Sequence, residues 1–233
     1  MSGAGAFAAR PKIRLVRARS ILGLAALSAI LVAGAAHASL PPPRFGHSVD
    51  IGLVSGTVII SPPGAPSFKL GPQDRNIPVG SLIDTKHGRV DLRAAPPPAV
   101  RGAGHASAVA ARVQDAQFYD GAFRVTQSAS NPLAQIKLAR GGFGACKAPS
   151  VHLGRQAKLP HKLVRLLWAS GSGRFRTVGR YSAATVLGTK WLTEDFCDGT
   201  LVRVSRGVVA VENLATHTTV TVRAGQSAFT PAA

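Results

Sequence analysis

The clearest pattern in this chain is alternation in its C-terminal third. Val202 and Val204 alternate with Arg203 and Ser205, Val209 and Val211 with Ala210 and Glu212, and Val220 and Val222 with Thr219, Thr221 and Arg223. A period of two, apolar on one side and polar on the other, predicts strands with one wet face. A succession of such strands separated by turn residues predicts an all-β antiparallel sandwich, jelly-roll-like, or a barrel. Upstream, Val49 to Val54 and Gly56 to Ile60 read as two apolar runs parted by Ser55-Gly56 and closed by Pro62-Pro63-Gly64. Leu82 leads into a turn at Lys86-His87-Gly88, after which Val90 and Leu92 alternate with Arg89 and Asp91. Asp120-Gly121 lies between strand formers, the strongest short hairpin signal. Ser170-Gly171-Ser172-Gly173 predicts a turn into Arg174-Phe175-Arg176-Thr177, with basic residues on one face and Phe175 on the other. The glycines at 88, 121, 199, 207 and 225 are expected at chain reversals with positive φ. No segment beyond the N-terminal region sustains a helical period over three turns.

Composition fixes the class and the N-terminus fixes the expected compartment. With 45% hydrophobic and 16% charged residues in 233, the chain is globular rather than disordered, and one domain is expected. Arg10, Lys12, Arg14, Arg17 and Arg19 precede an apolar run, Ile21 to Ala36, and a small-x-small site at Ala36-His37-Ala38. Residues 1–38 therefore read as a secretory signal peptide cleaved after Ala38. The apolar run of 16 residues is short for a hydrocarbon core roughly 30 Å thick; an uncleaved anchor is the alternative. No cysteine stands near the site to carry a lipid. The expected location is extracytoplasmic, secreted or in the cell envelope. Residues 39–48 form a proline-rich lead, the β domain runs over 49–230, and loop insertions fall near 94–113 and 141–159.

Basic charge is not confined to the signal. Of 28 lysines and arginines, five precede the apolar run, leaving 23 against 10 carboxylates, a formal charge of +13. Between Asp120 and Glu194 there is no carboxylate, and within that window Arg155, Lys158, Lys162, Arg165, Arg174, Arg176 and Arg180 form a candidate polyanion-binding stretch. Positive potential of this kind reaches about a Debye length, roughly 8 to 10 Å at ordinary salt. Behind a secretion signal the available polyanions are anionic envelope polymers and lipid headgroups, so no nucleic acid partner is expected. A basic surface with no specific partner is the plain alternative.

Candidate chemistry is sparse. Cys146 and Cys197 are the only cysteines, and an even pair in an exported chain reads as a disulfide, with two buried thiols as the alternative. No second cysteine or histidine stands at zinc-ligand spacing, and no metal or cofactor is expected. There is no nucleophile elbow and no His-Glu-x-x-His pair, so no catalytic residue is assigned and an enzyme is not expected. The histidines at 47, 87, 105, 152, 161 and 217 are scattered singly, in the manner of solvated turn residues. Glu194, Asp195 and Asp198 are the one concentration of negative charge; in so basic a chain, pairing with arginine is expected ahead of a cation site.

The blocks Ala184-Thr185-Val186-Leu187-Gly188-Thr189, Asp198-Gly199-Thr200, Arg206-Gly207-Val208-Val209-Ala210-Val211 and Arg223-Ala224-Gly225-Gln226 resemble the C-terminal half of a FecR-like domain. The resemblance covers roughly Ile51 to Phe229 and is dense from Leu166 onward. It implies an extracytoplasmic β domain, non-enzymatic, binding or scaffolding at the cell envelope. It also implies, as an alternative, a membrane-anchored sensory or regulatory protein working through an envelope partner. Only 20 residues precede the apolar run here, so the segment through which such sensors contact a sigma factor is not expected.

Overall fold

A computed structural model describes residues 40–97, 113–146 and 160–232. The chain divides into residues 1–38 and a compact unit, Ser39–Ala233; the expected signal segment lies outside the described residues, as does most of each expected insertion. The strands of the first half are β1 (Ser48–Ser61), β2 (Phe68–Lys69), β3 (Arg75–Pro78), β4 (Leu82–Ala94), β5 (Gln114–Tyr119), β6 (Ala122–Thr126) and β7 (Ala134–Leu138). Those of the second half are β8 (Leu163–Val178), β9 (Ser182–Phe196), β10 (Gly199–Arg206), β11 (Val208–Asn213), β12 (Thr219–Arg223) and β13 (Ser227–Pro231). Among the described residues one short 3-10 turn, Phe143–Ala145, interrupts them.

All thirteen strands belong to one mixed sheet that folds over into a barrel-like sandwich. Four long strands, β1, β4, β8 and β9, run through both halves. In one half the hydrogen-bonded order is β3-β1-β4-β5-β8-β9-β10-β13; in the other it is β2-β1-β4-β6-β7-β8-β9-β11-β12. The all-β sandwich expected from alternation is therefore present. One pair departs from it: β7 and β8 run parallel, Ala134 opposite Phe175 through Lys137 opposite Val178. A parallel neighbour needs a crossover, and the stretch between β7 and β8, expected to be an insertion, is that connection.

Several expected turns are bends inside long strands. Asp120-Gly121 does not close a hairpin: β5 and β6 pair successively with the same strand, Arg89–Ala94 and Leu82–Asp84 of β4. Asp120 takes the left-handed conformation (φ 62°), and the Thr85 N–H donates to the Gly121 carbonyl at 2.7 Å while the Asp120 N–H donates to the Thr85 carbonyl. A Cβ at Gly121 would run into the Leu166 carbonyl, so close approach of β8 requires the glycine. Likewise β10 and β11 pair in turn with β9 on either side of Gly207. Lys86-His87-Gly88 lies within β4, Ser55-Gly56 within β1, and Gly171-Ser172-Gly173 is a register shift within β8. Gly56 (φ 74°) faces Gly88 across β1 and β4, with no room for a side chain between the backbones. Of the glycines expected at positive φ, 207 and 225 have it, while 88, 121 and 199 do not.

The core is one cluster fed by both halves. Val49, Ile51, Val90, Leu92, Phe118, Leu167, Trp191, Val202 and Val204 meet Val58, Ile60, Ile83, Phe123, Ile136, Phe175, Val186, Val209 and Val211, all buried. Phe118 packs against Phe123 and Phe175 at ring distances of 5.0 and 5.8 Å. The Trp191 indole N–H donates to the buried Thr177 hydroxyl at 3.0 Å, so the largest core residue is also satisfied. Val220, expected inward, is half exposed because β12 is an edge strand paired only with β11.

Candidate functional site

The candidate basic stretch is dispersed by the fold. Arg155 and Lys158 lie outside the described residues. Lys162 is exposed just before β8, whereas Arg176 lies near the other end of that strand, beyond the Gly171–Gly173 bend. The Arg165 Nε donates to Asp195 at 2.7 Å, and an Nη of Arg176 donates to Glu212 at 2.7 Å, so both guanidiniums have internal counterions. Arg174 stands opposite Leu187 in the register. Arg180 lays its guanidinium over the Phe143 ring at 4.2 Å, with Arg165 on the same ring at 5.1 Å.

What replaces the linear stretch is a basic face. On the outer side of the half containing β6, β7, β8, β9, β11 and β12, Arg124 stands opposite Lys137, and Gln135, Arg176, Thr185, Ala210 and Thr221 form the adjoining row. Arg223 lies at its far edge, opposite Val208. Arg124, Lys137 and Arg223 are exposed. Arg124 donates to the Gly80 carbonyl, a neutral acceptor that leaves its charge uncompensated. The carboxylates on this side, Asp84 and Glu212, are paired with Arg140 at 3.0 Å and with Arg176. The Arg176 hydrogen bond, then that of His217, holds the Glu212 carboxyl below its ordinary range. Arg124, Lys137 and Arg223 fall outside the linear window or its chosen members; the alternating phase of β6, β7 and β12 is the signal that places them together.

The outer side of the other half is mixed in sign. Arg89, Tyr119 and Trp168 line up across β4, β5 and β8, and Lys190 on β9, opposite Ser170, reaches Trp168 diagonally. The Arg89 guanidinium lies 4.0 Å from the Tyr119 ring, Tyr119 stacks parallel to Trp168 at 6.1 Å, and the Lys190 ammonium is 5.3 Å from Trp168. Beside this ladder runs a groove of about 590 Å³ lined by Asp91, Asp115, Gln117, Ser170, Gly188 and Arg206, among others. Burial first, then the neighbouring Asp115 charge, pushes the Asp91 carboxyl above its ordinary range.

The acidic cluster is structural, as expected. Asp195 is fully buried and accepts from Arg165, from the Arg180 backbone N–H at 2.9 Å and from the Thr200 hydroxyl at 2.6 Å. Glu194 pairs with Arg203 at 3.1 Å, and Asp198 with His161 at 3.0 Å. His161 also stacks on Phe196 at 4.3 Å, so this histidine is held rather than free in a turn. Cys146 and Cys197 are joined, their Cα atoms 5.2 Å apart, which pins the 3-10 turn beneath Arg165 and Arg180 to the β9–β10 turn. Disulfides persist in oxidising, extracytoplasmic compartments. Among the described residues no cluster of three metal-ligating side chains occurs, and no helix is long and apolar enough to cross a membrane.

The arrangement defines an all-β domain, disulfide-linked, with one basic outer face and one mixed outer face that carries a groove. No family model, no curated protein and no solved structure matches the chain.

Proposed function

We propose that this protein is an extracytoplasmic, non-enzymatic β domain that binds an anionic polymer of the cell envelope through the basic face of β6, β7, β8, β11 and β12. The observation that carries the reading is the pairing of charges. Six of the ten carboxylates, Asp74, Asp84, Glu194, Asp195, Asp198 and Glu212, already hold an arginine or histidine, so the surplus of cations has no internal partner to neutralise it. Arg124, Lys137 and Arg223 face water together with Thr221, and the half-buried Thr185 lies in the same row. A polar sheet face with spaced cations suits an extended, repeating polyanion better than a compact ligand, which needs a cavity. The FecR-like resemblance agrees in class, as a β domain of the envelope.

Retention on immobilised dextran sulfate, with neutral dextran as control, tests this. The protein is expected to elute only with salt from the first and to pass through the second. Equal behaviour on both matrices would refute the proposal, and retention by anionic vesicles alone would move the partner from polymer to lipid surface.

A further inference from the structure

The mixed face holds a feature that polymer binding leaves unused. Asp91 lies half-buried in the groove and, among the described residues, has no ion pair and no hydrogen-bond partner, whereas most carboxylates have both. Arg93, two residues along β4, is turned to Asp74, and the Asp74 carboxylate packs over Gly52, the residue facing Asp91 on β1. Asp115 stands diagonally across the β4–β5 ladder from Asp91, since Asp91 faces Gln117 and Asp115 faces Arg93. Asp91 therefore has the Asp115 carboxylate and the Arg93-paired Asp74 as neighbours, Arg93 offsets part of their charge, and a cation placed against Asp91 would relieve the cost of its burial.

The rest of the groove sets the kind of cation. Its volume, about 590 Å³, is that of a site for an organic molecule rather than an ion. Gln117 offers an amide and Ser170 a hydroxyl, which can donate to or accept from hydroxyl groups along the ligand, and Arg206 a guanidinium, which can only donate to them. The Tyr119 and Trp168 rings stand one row away on the same strands, next to the groove rather than in its lining. We infer that the groove between β4, β5, β8 and β9 is a binding site for an amino sugar, with its ammonium against Asp91 and its hydroxyls toward Gln117, Ser170 and Arg206.

The test uses the full protein and a glucosamine tetrasaccharide, with the fully N-acetylated tetrasaccharide as comparison, by calorimetry at about pH 6, where an ordinary carboxylate is ionised. The free amine is expected to bind and the acetylated form to bind at least about tenfold more weakly, a difference of about 1.4 kcal/mol. Asp91→Asn should abolish that preference. Gln117→Ala should weaken the free amine while leaving its advantage over the acetylated form intact. Equal affinity for the two saccharides, no binding of either, or an unchanged preference in Asp91→Asn would each overturn the inference. Since dextran sulfate binding uses the opposite outer face, Asp91→Asn should leave it unchanged, so the two readings fail separately.

Discussion

Replacing Asp195 by asparagine gives the sharpest test of how this fold is held together. The carboxylate is wholly buried and takes three donors from different parts of the chain: the Arg165 guanidinium on β8, the Arg180 backbone N–H in the β8–β9 turn and the Thr200 hydroxyl on β10. The amide in Asp195→Asn keeps the shape but loses the charge, and its NH₂ meets donors where an oxygen stood. Removing one member of a buried pair costs about 3 to 5 kcal/mol, because the other charge is left uncompensated. Arg165 retains 20% exposure and its contact with Phe143, so water relieves part of that cost and the lower end applies, about 3 kcal/mol. In urea, with a slope of about 2 to 3 kcal/mol per molar for a domain of this size, the midpoint should fall by about 1 to 1.5 M without change of slope. Arg165→Leu combined with Asp195→Asn should cost less than the two single changes added together, since the orphaned guanidinium is gone. A loss under about 1 kcal/mol for Asp195→Asn, or strict additivity of the pair, would refute the assignment of Asp195 as the hub of this region.

Other expectations follow from the same geometry. Replacing both Cys146 and Cys197 by alanine should lower stability by up to about 4 kcal/mol in the chain-entropy model for a separation of 51 residues, measured by thermal and urea unfolding; no loss would mean the loop is already ordered when unfolded. Glu212 has a lowered folded-state pKa, so its contribution is present above the unfolded value of about 4.3 and lost as pH falls through the lower folded value; Glu212→Gln should remove that part of the acid dependence, a change under about 1 kcal/mol because the pair is partly solvated. Asp91 has the opposite sign: its pKa is raised, so its ionisation destabilises the fold above that pKa, and Asp91→Asn should stabilise the protein at neutral pH with the gain vanishing below about pH 4. Gly121→Val should cost more than a typical surface change, over about 2 kcal/mol, because its side chain would meet the Leu166 backbone; a neutral effect in denaturant unfolding would show that β5–β6 and β8 can part freely.

The strands and the disulfide were legible in the sequence because alternation and an even cysteine pair are local signals. Val202, Val204, Val209, Val211 and Val222 are buried as their phase requires. Bends were not legible as bends. Asp120-Gly121, Lys86-His87-Gly88 and Gly171-Ser172-Gly173 carry the same residues a turn would, since a strand folding over against another backbone also needs a missing side chain or a positive φ. Reading them as reversals cut β4 and β8 in two and split the β5–β6 run. Arg155 to Arg180 is one basic stretch in the sequence, but in its described part β8 bends between Lys162 and Arg176, and Asp195 and Glu212 take up Arg165 and Arg176 from distant positions. Arg124, Lys137 and Arg223 come together only through pairings across six strands, which linear spacing does not reveal.

The most direct test of the proposed polymer binding is the salt dependence of affinity for dextran sulfate, compared between the parent and a triple variant with Arg124, Lys137 and Arg223 changed to glutamine. Counterion release predicts a linear fall of log affinity with log salt between about 50 and 200 mM, at a little under one unit of slope for each charge neutralised. The variant should keep its thermal stability, because exposed charges contribute about 0 to 1 kcal/mol each, and should lose a little under three units of slope, roughly 0.9 for each of the three charges removed. An identical slope in parent and variant would contradict the account, because the basic face would then be a solvated surface and not a binding site.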